Sequence, residues 1–210
     1  DGKPFIFCET FMGNFGATFD HDGQEGIAHI GANQSNVPVE MIEAEYPIRI
    51  ERYAIAEDTG GPGEYRGGLS LVREYRILAA EAELNVRSDK RDFPPHGLDG
   101  GHAGTGSVNI VRTTSGAETM LPVLLTEPVR LAQGALFHHA MAGAGGYGDP
   151  LVRDVERVRW DVIEGKVSVA HAAEAYGVVI MSTGVLPGEV MVDMDATHVL
   201  RGRLRESRAE

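Results

Sequence analysis

The chain is 210 residues long, and 31 acidic against 19 basic residues leave a formal charge of −12. That excess excludes sequence-independent nucleic-acid binding, which needs clustered cations to displace counterions, and makes an anionic membrane surface a poor partner. The 27 glycines, about 13% against a usual share of roughly 7%, argue for tight turns and β structure over a helical bundle.

The N-terminal run Lys3–Thr10 is apolar enough to predict a strand, with Cys8 expected as a small buried hydrophobe beside Phe5, Ile6 and Phe7. As the only cysteine, it permits no disulfide within the chain, which fits a reducing, cytoplasmic setting. No apolar stretch reaches the roughly 18–20 residues that cross a bilayer, so no membrane role is expected. Phe11–Ala17 reads as a glycine-punctuated loop, and Asp22-Gly23 and Gly26 add turn signals. Ser35 or Asn36 is placed to cap a short helix, Val39–Glu45, with Pro38 in its first turn and a stop near Pro47.

The period then changes to two. Ile48, Ile50, Tyr53 and Ile55 alternate imperfectly with charged residues, as in a half-buried strand. Leu69–Leu78 and Ala82–Ser88 continue the strand character on either side of turns, before the loop at Pro94-Pro95 and the glycines of Gly97–Gly106. Val108–Arg112 and Thr119–Leu125 form a predicted hairpin around Thr114–Ala117, followed by strands at Val129–Leu131 and Leu136–Met141. Beyond Pro150, Asp154–Glu164 carries apolar residues at helical spacing and ends at Gly165. Ser168 caps a second helix, Val169–Tyr176, closed by Gly177. Strands are expected at Val178–Met181 and Val190–Asp193, and the charged end Arg201–Glu210 is expected to fray. The predicted class is α+β and β-rich: a barrel- or sandwich-like antiparallel sheet with a C-terminal αα-hairpin. The expected divisions are residues 1–150, β-rich with the short helix near 39–45; 151–180, the αα-hairpin and a strand; and 181–210, a strand and charged tail.

Several polar groupings are candidates for chemistry. Glu40 and Glu43 are three apart on a short helix and share a face, as acid–base carboxylates would, or as a solvated helix face would. Asn33 and Asn36 precede them as substrate-binding candidates. Asp89 and Arg91, at a strand end, could pair and orient a polar substrate through the guanidinium fork. Gly145 and Gly146, within Gly143–Gly148, suit either a backbone cradle for an anion or a close backbone crossing. Gly60–Gly68 runs into a strand, so a β corner fits it better than a phosphate loop. His138 and His139 are neighbours on a predicted strand and face opposite sides, and no histidine spacing indicates a metal site belonging to this chain.

Taken in order, Asn33–Tyr53, Gly60–Tyr75, Ser88–Gly97, Gly145–Pro150 and Val167–Val178 resemble the C-terminal portion of the hydantoinase B/oxoprolinase family, over about Phe5–Ile180. That family includes B subunits of ATP-dependent N-methylhydantoinase, the corresponding half of 5-oxoprolinase, and large subunits of ketone carboxylases. The resemblance implies part of a B-type subunit acting on a small molecule, together with an N-terminal B-type portion and an A-type ATP-binding partner. The partner would phosphorylate a lactam or carbonyl oxygen, and the B part would complete ring hydrolysis or, in carboxylases, C–C bond formation. ATP with Mg, and a divalent Mn or Zn, are thereby implied for the full assembly, with none bound by this chain alone. The family's His/Asp metal-ligand motif has no match here. His138–Met141 departs from the apolar version of many hydantoinases, which leaves hydantoins, oxoproline, lactams and ketones all open. A non-catalytic scaffolding subunit and a stand-alone small-molecule binding module are the readings from other classes.

Overall fold

A computed structural model describes residues 4–29, 31–182 and 189–209. Its elements are α1 (Val39–Glu45), β1 (Ile48–Ile55), β2 (Leu71–Ile77), β3 (Glu81–Leu84), β4 (Val108–Arg112), β5 (Glu118–Met120), β6 (Val129–Ala132) and β7 (Leu136–Ala140). A 3-10 turn at Pro150–Val152 leads to α2 (Val155–Ile163), α3 (Val169–Tyr176), β8 (Ile180–Ser182), β9 (Val190–Val192) and α4 (Met194–Ala209). Five strands form one antiparallel sheet in the order β1-β2-β7-β4-β5, while β3 pairs with β6 and β8 with β9. The class is α+β with antiparallel sheets, as the sequence predicts. The large sheet is open, with β1 and β5 as its edges, and does not close into a barrel.

One face of this sheet is the core. In register, Ile50, Tyr75, Phe137 and Val111 form an apolar rung across four strands. Ile42 of α1 is fully buried against the same cluster, with Ile48, Ile77, Leu121 and Leu131. The N-terminal segment lies over this face as an extended strap. Phe5, Phe7 and Glu9 turn partly inward, whereas Ile6 and Cys8 are exposed. The described part of the expected strand, Pro4–Thr10, pairs with no sheet strand, and Lys3 lies outside the described residues. Cys8 is therefore not a buried hydrophobe: the strap covers only one face, and the two-residue period turns Cys8 away from it. The N-cap of α1 is Pro38, with no side-chain cap, because the Asn36 amide is engaged elsewhere.

The αα-hairpin has its own core of Val158, Val167, Ala172, Tyr176 and Val178. Asp154 caps α2 by accepting from the Glu156 and Arg157 amides, and Ser168 caps α3 by accepting from His171. Gly177 closes α3 in the left-handed conformation (φ 62°) that a C′ glycine adopts. The charged C-terminus does not fray; through residue 209 it is helical. Arg201 donates to the carbonyls of Tyr176 (3.0 Å) and Arg153 (2.7 Å), and Arg205 donates to that of Leu151 (3.1 Å). These arginines satisfy carbonyls that helix ends leave open, which fixes the helix against the hairpin. Glu210 lies outside the described residues. No described helix is long and apolar enough to cross a membrane.

Candidate functional site

The sheet's core face turns polar within one rung. Tyr53 of β1, Arg73 of β2, His139 of β7 and Asn109 of β4 are register partners in succession, so all four project from one face. Arg73 is wholly buried. Its guanidinium lies 3.9 Å from the Tyr53 ring centre and 5.1 Å from that of Phe11, and it pairs with Glu9 of the strap. Glu9 also accepts from the Tyr75 hydroxyl (2.8 Å) and the Val37 amide (3.2 Å). Burial first, and the Glu9 carboxylate second, hold the Tyr75 phenol in its neutral form far above the usual tyrosine range.

His139 is the chemically distinctive member of this rung. Its Nδ1 lies 2.7 Å from Asn109 Oδ1, and the Asn109 amide nitrogen donates to Ser88 Oγ at 2.8 Å. The ring stacks on Phe137 and meets Phe11 edge-on. Among the described residues its Nε2 makes no hydrogen bond. Burial, with a smaller push from the neighbouring His138, lowers its pKa from 6.5 to about 4. At neutral pH the imidazole is therefore uncharged. His138 faces the other side of the sheet, 2.9 Å from Glu74, so the two histidines do not converge.

This depressed pKa makes stability depend on pH. The folded pKa lies below the unfolded value, so the unfolded chain binds the extra proton first. Stability contributed by neutral His139 is complete above pH 6.5 and is lost progressively as pH falls towards 4. An NMR titration should place the His139 midpoint near 4; a midpoint near 6.5 would refute its burial in this setting.

Of the residues singled out from sequence, Asn36 joins this cluster. It donates to the Tyr53 hydroxyl and the Met12 carbonyl, both at 2.9 Å, and accepts from the Met12 amide. Asn33 is exposed, with a left-handed φ of 44°. Glu40 and Glu43 are exposed on α1, and Glu43 accepts from the Ile50 amide at 2.8 Å, where the β1–β2 register slips. Asp89 and Arg91 do not pair. Lys90 between them has a φ of 60°, which turns Arg91 towards the Leu121 carbonyl (2.6 Å) and Asp92. The Asp89 carbonyl instead accepts from Ser107 Oγ.

Gly145 and Gly146 lie in a close crossing of three glycine-rich segments. A Cβ on Gly145 would overlap the His96 carbonyl, and one on Gly146 those of Gly61 and Pro62. The Gly146 amide already donates to His102 O (3.0 Å), and its carbonyl accepts from Leu98. Among the described residues no group of three or more His, Cys, Asp or Glu side chains is arranged to hold a metal ion. Among the described residues, then, no donor set fits the implied Mn or Zn.

Arg73, His139, Asn109, Glu9 and Tyr53 were not legible as a site, since their meeting depends on strand order. The alternation that puts His138 and His139 on opposite faces was the one available signal.

Residues 1–150 match the family model described as hydantoinase B/oxoprolinase. The B-type subunit of a putative D-/L-hydantoinase from Pseudomonas sp. (strain NS671) is 32% identical, over 94% of this chain and 32% of its own length. The crystal structure of ATP-dependent caprolactamase from Pseudomonas jessenii is similar with a TM-score of 0.75 and 28% identity, over 91% of this chain and 33% of that one. A nucleotide-free acetone carboxylase structure reaches a TM-score of 0.82 at 23% identity, over 94% of this chain and 30% of that one, a likeness of fold. The chain spans about a third of the length of the first curated relatives it matches and about a tenth of that of matched 5-oxoprolinases.

Proposed function

Since this chain belongs to the hydantoinase B/oxoprolinase family, we propose that it is the C-terminal part of the B-type component of an ATP-dependent cyclic-amide hydrolase. It acts on a hydantoin, oxoproline or lactam ring, with the remaining B-type portion and an A-type partner that carries ATP and Mg. A cytoplasmic setting belongs to the same reading. Phosphorylating an amide oxygen makes an imidate-like electrophile that water can attack, and this chain supplies one wall around that ring. The observation that supports the assignment is the polar rung, where a neutral His139, whose Nε2 makes no hydrogen bond among the described residues, shares a sheet face with Tyr53 and its partner Asn36. An uncharged imidazole can accept a hydrogen bond from the ring N–H of a cyclic amide before its oxygen is phosphorylated. Glu40 and Glu43, exposed along α1 with Asn33 ahead of them, present carboxylates to the rest of the assembly. Sharing a fold with acetone carboxylase keeps ketone carboxylation as the second reading.

The test is reconstitution. The 210-residue chain alone should release no ADP with hydantoin, 5-oxoproline or caprolactam, and its assembly with both partners should open one of these rings. Within the assembly, His139→Ala should lower kcat/KM about 10²-fold, the lower end of what a positioned acid–base or polar group contributes. Turnover by the chain alone would sink the proposal. An assembly that fixes carbon dioxide onto acetone and opens no ring would replace it with the carboxylase reading. Full activity of His139→Ala would remove the rung from the site.

A further inference from the structure

A histidine with one open nitrogen can present either a donor or an acceptor there, depending on which nitrogen holds the proton. Asn109 decides this. It is fully buried, its amide nitrogen donates to Ser88 Oγ at 2.8 Å, and its carbonyl oxygen is thereby turned to His139 Nδ1 at 2.7 Å. An amide oxygen accepts and does not donate, so the hydrogen in that contact belongs to the imidazole. We infer that Asn109, anchored by Ser88, is a positioning residue that holds His139 as the Nδ1–H tautomer, so that Nε2 accepts a hydrogen bond from the ring N–H of a substrate. The inference rests on the cyclic-amide reading and deepens it, because it names what the site selects. Hydantoins, oxoproline and lactams carry a ring N–H; ketones carry none.

The geometry supports a role beyond filling space. Ser88 lies past the end of β3, and its own amide is tied to Val123 O, so its hydroxyl is held in place from a different segment. Phe137 and Phe11 pack on the ring from two sides and limit its rotation about the sheet face. Three segments thus hold one imidazole nitrogen occupied while the other makes no bond among the described residues. This is how an outer partner fixes the tautomer and orientation of a working histidine.

The test reads the tautomer directly. In ¹⁵N NMR of the chain at pH 7, His139 should show a protonated Nδ1 and an unprotonated Nε2. Asn109→Ala should abolish that signature, and Asn109→Asp should restore it, since a carboxylate also accepts from Nδ1–H. Ser88→Ala, which leaves Asn109 in place, should shift the tautomer partway and serves if Asn109→Ala does not fold. In the reconstituted assembly, Asn109→Ala should lower kcat/KM about 10- to 100-fold, the usual cost of losing an outer partner, with recovery in Asn109→Asp. An N-methylated lactam should be rejected relative to its N–H parent by wild type but not by His139→Ala. A wild-type spectrum with the proton on Nε2, or an unchanged tautomer in Asn109→Ala, overturns the inference whatever the activity. Ring opening that does not distinguish the N-methylated lactam overturns the N–H assignment while leaving the hydrolase reading intact. Absence of any ring opening, with the Nδ1–H signature present, instead counts against the hydrolase reading and, with it, the substrate part of this inference.

Discussion

Gly145→Ala should lower the melting temperature by about 6–12 °C, whereas Gly202→Ala should raise it slightly. The same methyl group meets opposite surroundings. At Gly145 it would overlap the backbone carbonyl of His96, with the Gly97 amide 3.1 Å away on the same side. The residue's own carbonyl is held by the Ala17 amide at 3.0 Å, so the segment has little freedom to retreat. Its φ is not in the left-handed region, so the cost is steric. Overpacking typically costs about 1–3 kcal/mol, and a clash between two main chains belongs at the upper end. At roughly 2–4 °C per kcal/mol for a domain of this size, the shift follows. Gly202 sits within α4, where an added methyl would find no atom within 4 Å, so alanine there gains up to about 1 kcal/mol of helix propensity. Thermal unfolding of the two variants side by side checks both signs. Equal melting temperatures would show that the crossing is loose, and the glycines would then be free to form an anion cradle.

Local chemistry was legible in the sequence, and long-range registration was not. α1 spans Val39–Glu45 as its pattern predicts, and the caps Ser168 and Gly177 sit where their chemistry places them. Each of these depends on residues a few positions apart. The glycine crossing was half visible: glycine density indicates close approach or positive φ, and the structure has close approach at Gly145 and Gly146 and positive φ (74°) at Gly148. Which chain they approach depends on the return of residues 95–106 to residues 59–68. The strap failed as a strand because an alternating segment can cover a sheet face without joining its ladder, and periodicity does not separate the two. The tail failed because arginines that look solvated in sequence reach carbonyls about 25 to 54 residues away. The polar rung needed strand order β1-β2-β7-β4, in which β7 inserts between β2 and β4 across long stretches of sequence.

Arg153→Met should destabilise the chain by about 3–5 kcal/mol and raise the pH of its acid unfolding. Arg153 follows the 3-10 turn and is almost wholly buried, at 1% exposure. Its two terminal nitrogens donate to both oxygens of Asp22, at 2.6 and 2.9 Å, to Asp161 at 2.8 Å, and to the Glu64 carbonyl at 2.8 Å. Arg66, equally buried, pairs with Glu25 at 2.7 Å and reaches the other Asp161 oxygen at 3.4 Å. This network ties the N-terminal loop, the glycine corner and α2 together at one point. Removing one partner of a buried pair leaves an uncompensated charge, which accounts for the size of the effect. It is a large fraction of a typical total stability of about 5–15 kcal/mol. Burial pushes the Asp22 carboxyl up, but the Arg153 fork, with Arg66 behind it, outweighs this and holds it below the usual carboxylate range. With the folded pKa depressed, the stability it contributes is full above about pH 3.8, the ordinary aspartate value, and is lost as pH falls through the lower folded value. Without Arg153 only the upward push of burial and the weaker hold of Arg66 remain, so acid unfolding begins at higher pH. The gap between the two proteins should also narrow as both are taken to low pH. Urea unfolding from pH 7 to pH 3, with Asp22→Asn and the double variant completing a cycle, measures the coupling directly. Additive single and double variants, or an acid midpoint that does not move, would show that Arg153 acts through packing and not through its charge.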